Sequence, residues 1–134
     1  MDQYSLIDRD TLEVFEHAED HPKVFICDKR IANSIALLNK KGYKTLASCS
    51  GHYRVEWNGQ KDTMTYILFD KDYGFKSIPE GFTLTDTHSI ESFTDIVNEG
   101  KLKDRSVVEK ELDKKANNLY IWVENLPVNN ERND

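Results

Sequence analysis

Between two short runs of β-favouring residues, Val24-Phe25-Ile26-Cys27 and Thr45-Leu46-Ala47, the chain has room for one helix and little else. Ile31, Ile35 and Leu38 stand at i, i+4 and i+7 with Ala32 and Ala36 beside them, so they share one helix face. Lys40 and Lys41 fall in the last turn, where the helix dipole favours cations, and Gly42 supplies the left-handed residue that ends the helix. Asp28 stands where an N-cap belongs, its carboxylate placed to accept from the first-turn amides. The reading is a helix over residues 29–41 inside a right-handed βαβ-like unit at 23–48.

The other segments are read the same way. Leu12, Phe15 and Ala18 share a face of a short acidic helix over 9–19, ended by His21-Pro22. Val55 and Trp57 alternate with Arg54 and Glu56 as in a half-buried strand, and Asn58-Gly59 is a strong hairpin signal. Thr65 to Phe69 is apolar on both faces and predicts a central strand. Residues 70–81 form a loop, and Phe82-Thr83-Leu84-Thr85 forms a short strand. Ile90, Phe93, Ile96 and Val97 fit a helix that starts at Ser89 and closes at Gly100. Ser106-Val107-Val108-Glu109 is a capping box opening a helix with Val108, Leu112 and Ala116 on one side, and Leu119 to Val123 is a final strand. The fold class is α+β. One domain over 1–126 holds a mixed β-sheet of four to six strands flanked by about three to four helices, and the polar tail 127–134 frays.

Composition sets the outer bounds. At 134 residues and 38% hydrophobic, the chain closes one modest core and not two. No apolar run approaches the roughly 20 residues of a membrane span, and Met1-Asp2-Gln3-Tyr4 does not open like a signal peptide, so the expected location is cytoplasmic. Cys27 and Cys49 make no disulfide framework and are read as thiols. The net charge of −6 is unevenly spread: −6 over residues 1–21, +6 over 22–61 and −6 beyond. A globally acidic chain is a poor non-specific partner for nucleic acid, but its basic middle can hold a small anion.

That middle contains the one stretch with chemistry in it, Thr45-Leu46-Ala47-Ser48-Cys49-Ser50-Gly51-His52. Small residues at a strand end leave backbone amides uncovered, and successive amides form an anion-binding nest. The ligand-binding candidates are Ser48, Cys49, Ser50, Gly51, His52 and Arg54. Cys49 is also a candidate nucleophile, with His52 or His88 as its base. Cys27, Cys49, His52 and His88 are all types that zinc accepts, and Cys49-x-x-His52 has ligand-like spacing. Cys27 and His88 stand alone, so no metal is expected. Trp57, Tyr66, Tyr120 and Trp122 are read as core packing rather than base-stacking surface. P-loop, dinucleotide-fingerprint, His-Glu-x-x-His and EF-hand patterns are absent from the sequence, which disfavours kinase, dinucleotide oxidoreductase, zincin and calcium-sensor readings.

The run from Gly42-Tyr43-Lys44-Thr45 through Ser48-Cys49-Ser50-Gly51-His52, after a helix ending Leu37-Leu38-Asn39, resembles a motif of the tRNA wybutosine-synthesising methyltransferase family, and is similar to small bacterial proteins. The matching positions are Ser48, Cys49, Ser50 and Gly51, with His52 where that family carries arginine. The resemblance implies methyl transfer from S-adenosylmethionine to a modified guanosine in tRNA. The residues themselves lead to a small anionic or nucleotide-like ligand at Ser48–His52. The alternatives are an RNA-modifying methyltransferase-like enzyme, and a homo-oligomeric interaction module pairing its acidic N-terminus with the basic middle of a second copy.

Overall fold

A computed structural model describes residues 4–8, 12–15, 24–53, 60–85 and 88–129. The strands are β1 (Tyr4–Asp8), β2 (Val14–Phe15), β3 (Val24–Asp28), β4 (Thr45–Cys49), β5 (Asp62–Phe69), β6 (Thr83–Thr85), β7 (Ser89–Asp95), β8 (Val97–Asn98) and β9 (Lys101–Leu102). The helices are α1 (Ala32–Lys40), entered through a 3-10 turn at Lys29–Ile31, and α2 (Arg105–Asn125). The strands form sheets of order β2-β1-β3, β4-β5-β7-β6 and β8-β9, and each of these ladders is antiparallel. The α+β class read from the sequence is the class observed.

Alternation explains the four-stranded sheet. On β5 the residues Thr63, Thr65, Ile67 and Phe69 point inward, and on β7 Ile90, Ser92 and Thr94 do. The buried face is therefore aliphatic and aromatic at one end and lined with hydroxyls at the other. β5 lies between β4 and β7, as a strand apolar on both faces should. Against the apolar end pack Ile31, Ile35 and Leu38, with Leu119 and Val123 of α2. A second, smaller cluster of Ile96, Val108 and Leu112 closes the hydroxyl end. One helix thus reaches both.

The unit at 23–48 is corrected in one respect. β3, α1 and β4 are present with nearly the expected bounds, but β3 ladders to β1 and β4 ladders to β5, in different sheets. Near their C-terminal ends the two strands come together, with Cys27 Sγ and Ser48 Oγ 3.7 Å apart. β4 also carries a bulge, because Thr45 faces Phe69 while Ala47 faces Leu68, which leaves Leu46 unpaired in the ladder and exposed.

Three expected elements are replaced. The helix over Ser89–Gly100 is the strand β7 followed by the hairpin β8-β9, whose two-residue turn is Glu99 (φ +52°) and Gly100 (φ +76°). The apolar spacing misled because Ser92 and Thr94 are buried while Phe93 faces solvent. The final strand Leu119–Val123 is the last part of α2, where Leu119, Trp122 and Val123 continue the stripe begun by Val108, Leu112 and Ala116. The described residues hold two α-helices rather than three or four. The acidic helix over 9–19 falls partly outside the described residues. Within them, Leu12 has φ +59° and Val14–Phe15 pair with β1, so that part is not helical. The strand and hairpin at 54–59 lie outside the described residues.

The α1–β4 corner serves α2. Lys41 Nζ donates to the carbonyls of Val123, Glu124 and Leu126 at 2.7–2.8 Å, so the cation read as a cap for α1 instead completes the C-terminus of α2. Gly42 (φ +93°) ends α1 as expected, and its would-be Cβ would lie 2.9 Å from Asn129 O. Asn129 N–H donates to Lys41 O and Tyr43 Oη–H to Pro127 O, which ties the segment after α2 to the α1–β4 corner. Replacing Lys41 with Met keeps the aliphatic stem and removes all three bonds. Urea denaturation should then show a loss of about 1–2 kcal/mol, and an unchanged midpoint would remove Lys41 as the cap of α2.

Candidate functional site

The Ser48–His52 stretch crosses from the end of β4 into a loop that turns over the hydroxyl end of the sheet. Sheet and helix both hold that loop. Thr65 Oγ1–H donates to Ser50 O at 2.9 Å, and His52 N–H donates to Thr63 Oγ1 at 2.9 Å. Gly51 is buried at φ +84°, and a Cβ there would come within 2.8 Å of Leu112 Cδ2 and 3.1 Å of Thr65 Oγ1. Glycine is required twice over, by backbone conformation and by the close approach of α2. From the far side Arg30 Nη1 donates to Gly51 O at 3.3 Å while its other nitrogens pair with Glu109 and Asp113 of α2.

The amides expected to face a ligand point inward. Ser50 N–H donates to Asp28 Oδ2 at 2.6 Å, Gly51 N–H to Cys49 Sγ at 3.4 Å, and His52 N–H to Thr63 as above. The side chains are what the loop presents. His52 Nε2 stands 3.2 Å from Asp28 Oδ2, with 30% of the imidazole side chain exposed, and the Cys49 thiol is half-buried beside them. One ligating atom each from Asp28, Cys49 and His52 lie within 4.8 Å of one another.

Asp28 is the member that sequence reading misassigned. As an N-cap its carboxylate would serve the first turn after β3, but it makes no cap bond there. It is 5% exposed and accepts from the Ser50 amide instead, because a buried carboxylate must find donors and the β4 loop offers one closer in space than in sequence. The available signal was compositional: Asp28 and Glu56 are the two acids among eight bases in 22–61. Of the other candidates, Ser48 faces Cys27, Ser50 is buried, Arg54 lies outside the described residues, and Cys27 and His88 are not in the three-residue cluster.

Beside β4 lies a cavity of about 500 Å³ that ends at Ser48. Phe25, Leu12 and Leu46 supply apolar wall, and Asn39, Lys44, Thr45 and Ser48 supply polar wall. Asn39 is fixed by giving Nδ2–H bonds to Ile35 O and Thr45 Oγ1 and by accepting from Thr45 N–H, so this part of the wall is rigid. The ligand reading from the sequence centred on the loop and missed this cavity, whose lining comes from segments as far apart as residues 12 and 48.

Cys27 differs chemically from Cys49. Burial pushes its thiol up to about 11, with the nearby Asp28 and Cys49 acting in the same sense and the Ser48 hydrogen bond opposing them. The unfolded chain releases this proton near the ordinary value of 9.0, so the folded state retains it over the interval between. Stability is fully present below pH 9 and falls as pH rises through about 11, by about 2–3 kcal/mol from this group. The raised hydroxyls of Tyr43 and Tyr73 act in the same direction, so the comparison is with Cys27→Ala. Denaturation at a series of alkaline pH values should show a steeper decline for the native chain than for Cys27→Ala, and equal slopes would contradict the buried thiol. No family model, curated protein or solved structure matches the chain.

Proposed function

We propose that the chain binds a small anionic, nucleotide-like ligand in the cavity beside β4, next to the Ser48–His52 loop. The observation that supports this most is the union of an apolar wall and a cation in one space of suitable size. A cavity of about 500 Å³ falls in the range of small-molecule sites. Phe25 and Leu46 offer surface for a base, and the exposed Lys44 has no ion pair among the described residues. Thr45 and Ser48 bring hydroxyls for a sugar. The bulge leaves Leu46 unpaired in the ladder and exposed, next to the small lining residues Ala47 and Ser48. The basic balance of residues 22–61 favours the approach of an anion.

Isothermal titration with the common nucleoside monophosphates, with their nucleosides as controls, tests the reading. At least one monophosphate should bind saturably and more tightly than its nucleoside. Lys44→Glu should weaken it by about 10-fold or more, the effect of losing one charge-assisted contact. Absence of saturable heat for every monophosphate, or an affinity indifferent to Lys44→Glu, would overturn it.

A further inference from the structure

We propose that Asp28, Cys49 and His52 hold one divalent transition-metal ion of the zinc class. The three residues come from the end of β3, the end of β4 and the loop beyond, so the tertiary fold and not a local motif brings them together. Their ligating atoms lie within 4.8 Å of one another. His52 Nε2 and Asp28 Oδ2 are 3.2 Å apart, close to the edge of roughly 3.3 Å in a tetrahedron with zinc–nitrogen and zinc–oxygen bonds of about 2.0–2.1 Å. An ion can therefore bridge these two with little movement.

The donor set selects the metal. Magnesium and calcium take oxygen donors, and copper(I) takes thiolate and thioether sulfur. One carboxylate, one thiolate and one imidazole together suit a borderline cation such as zinc. The two anionic ligands neutralise its charge and the imidazole binds neutral.

The surrounding hydrogen bonds have the form of a supporting shell around such an ion. Ser50 N–H holds the Asp28 carboxylate at 2.6 Å, and Gly51 N–H points at the Cys49 sulfur at 3.4 Å. Successive amides of one loop thus orient two different ligands. His52 is positioned through its own amide on Thr63, and Gly51 through Arg30 and Leu112. Three protein ligands leave a fourth position, and the partly exposed imidazole puts that position at the surface.

This inference goes beyond the nucleotide reading and does not rest on it, since the test uses metal alone. Cobalt(II), a spectroscopic stand-in for zinc, is titrated into the full chain without nucleotide, and zinc is then added in competition. One equivalent should bind with a sulfur-to-cobalt charge-transfer band and the intense visible bands of tetrahedral cobalt, and zinc should displace it. Cys49→Ser should abolish the charge-transfer band. His52→Ala and Asp28→Asn should each weaken binding by at least 10-fold, whereas His88→Ala should leave it unchanged. His52→Ala alters a partly exposed side chain, so it keeps the test decisive if either of the other two variants fails to fold. Failure to bind one equivalent, or binding unaltered by both Cys49→Ser and His52→Ala, overturns the proposal whatever the nucleotide titration shows.

Discussion

A buried carboxylate joins the two main sheets. Asp28 ends β3 in one sheet, and its Oδ2 takes the amide of Ser50 and the imidazole of His52 beyond β4 in the other. No ladder links β3 to β4, so at this corner polar side-chain bonds take the place of strand pairing. Removing a donor from a buried charge costs more than a neutral hydrogen bond contributes, which makes this joint selective for one arrangement. The β4 loop is drawn inward by the same contact, and the side chains of Cys49 and His52 are left beside the acid.

The rest of the framework keeps that corner in place. α2 runs from the small cluster at Val108 and Leu112 to the main core at Leu119 and Val123, and Arg30 and Lys41 tie it at opposite ends of the α1 segment. Arg30 also donates to the loop through Gly51 O, so helix, 3-10 turn and loop share one set of contacts. The exposed Asp113 partner adds little energy by itself, because a solvated ion pair is weak. The value of the arrangement is geometric: it holds Leu112 against a glycine that has no side chain to offer.

Where apolar spacing alone was used, the reading succeeded only if burial was apolar. Ile31 of the 3-10 turn and Ile35 and Leu38 of α1 are fully buried, and the expected helix over 29–41 corresponds to that turn and α1 together, within one residue at its end. β7 buries Ile90 with Ser92 and Thr94, so counting apolar residues produced a helical period from a strand. The run Leu119–Val123 looked like a strand in isolation, but it completes a stripe that starts at Val108, eleven residues upstream of Leu119. At the site, Ser48, Cys49, Gly51 and His52 stood out by type and spacing. Asp28 did not, because a capping role explained it locally.

By itself, the sequence determined the α+β class, the α1 helix with its glycine stop, the central position of β5, and the strand end and loop in which Cys49 and His52 stand three residues apart. These follow from periodicity and backbone preference, which act over a few neighbouring residues. Tertiary structure decided that β3 and β4 belong to separate sheets, that Lys41 caps a distant helix, and that Asp28 joins Cys49 and His52. Those outcomes depend on buried polar groups finding partners across the fold. A buried donor or acceptor is satisfied by whatever lies nearest in space, and sequence separation carries no information about that.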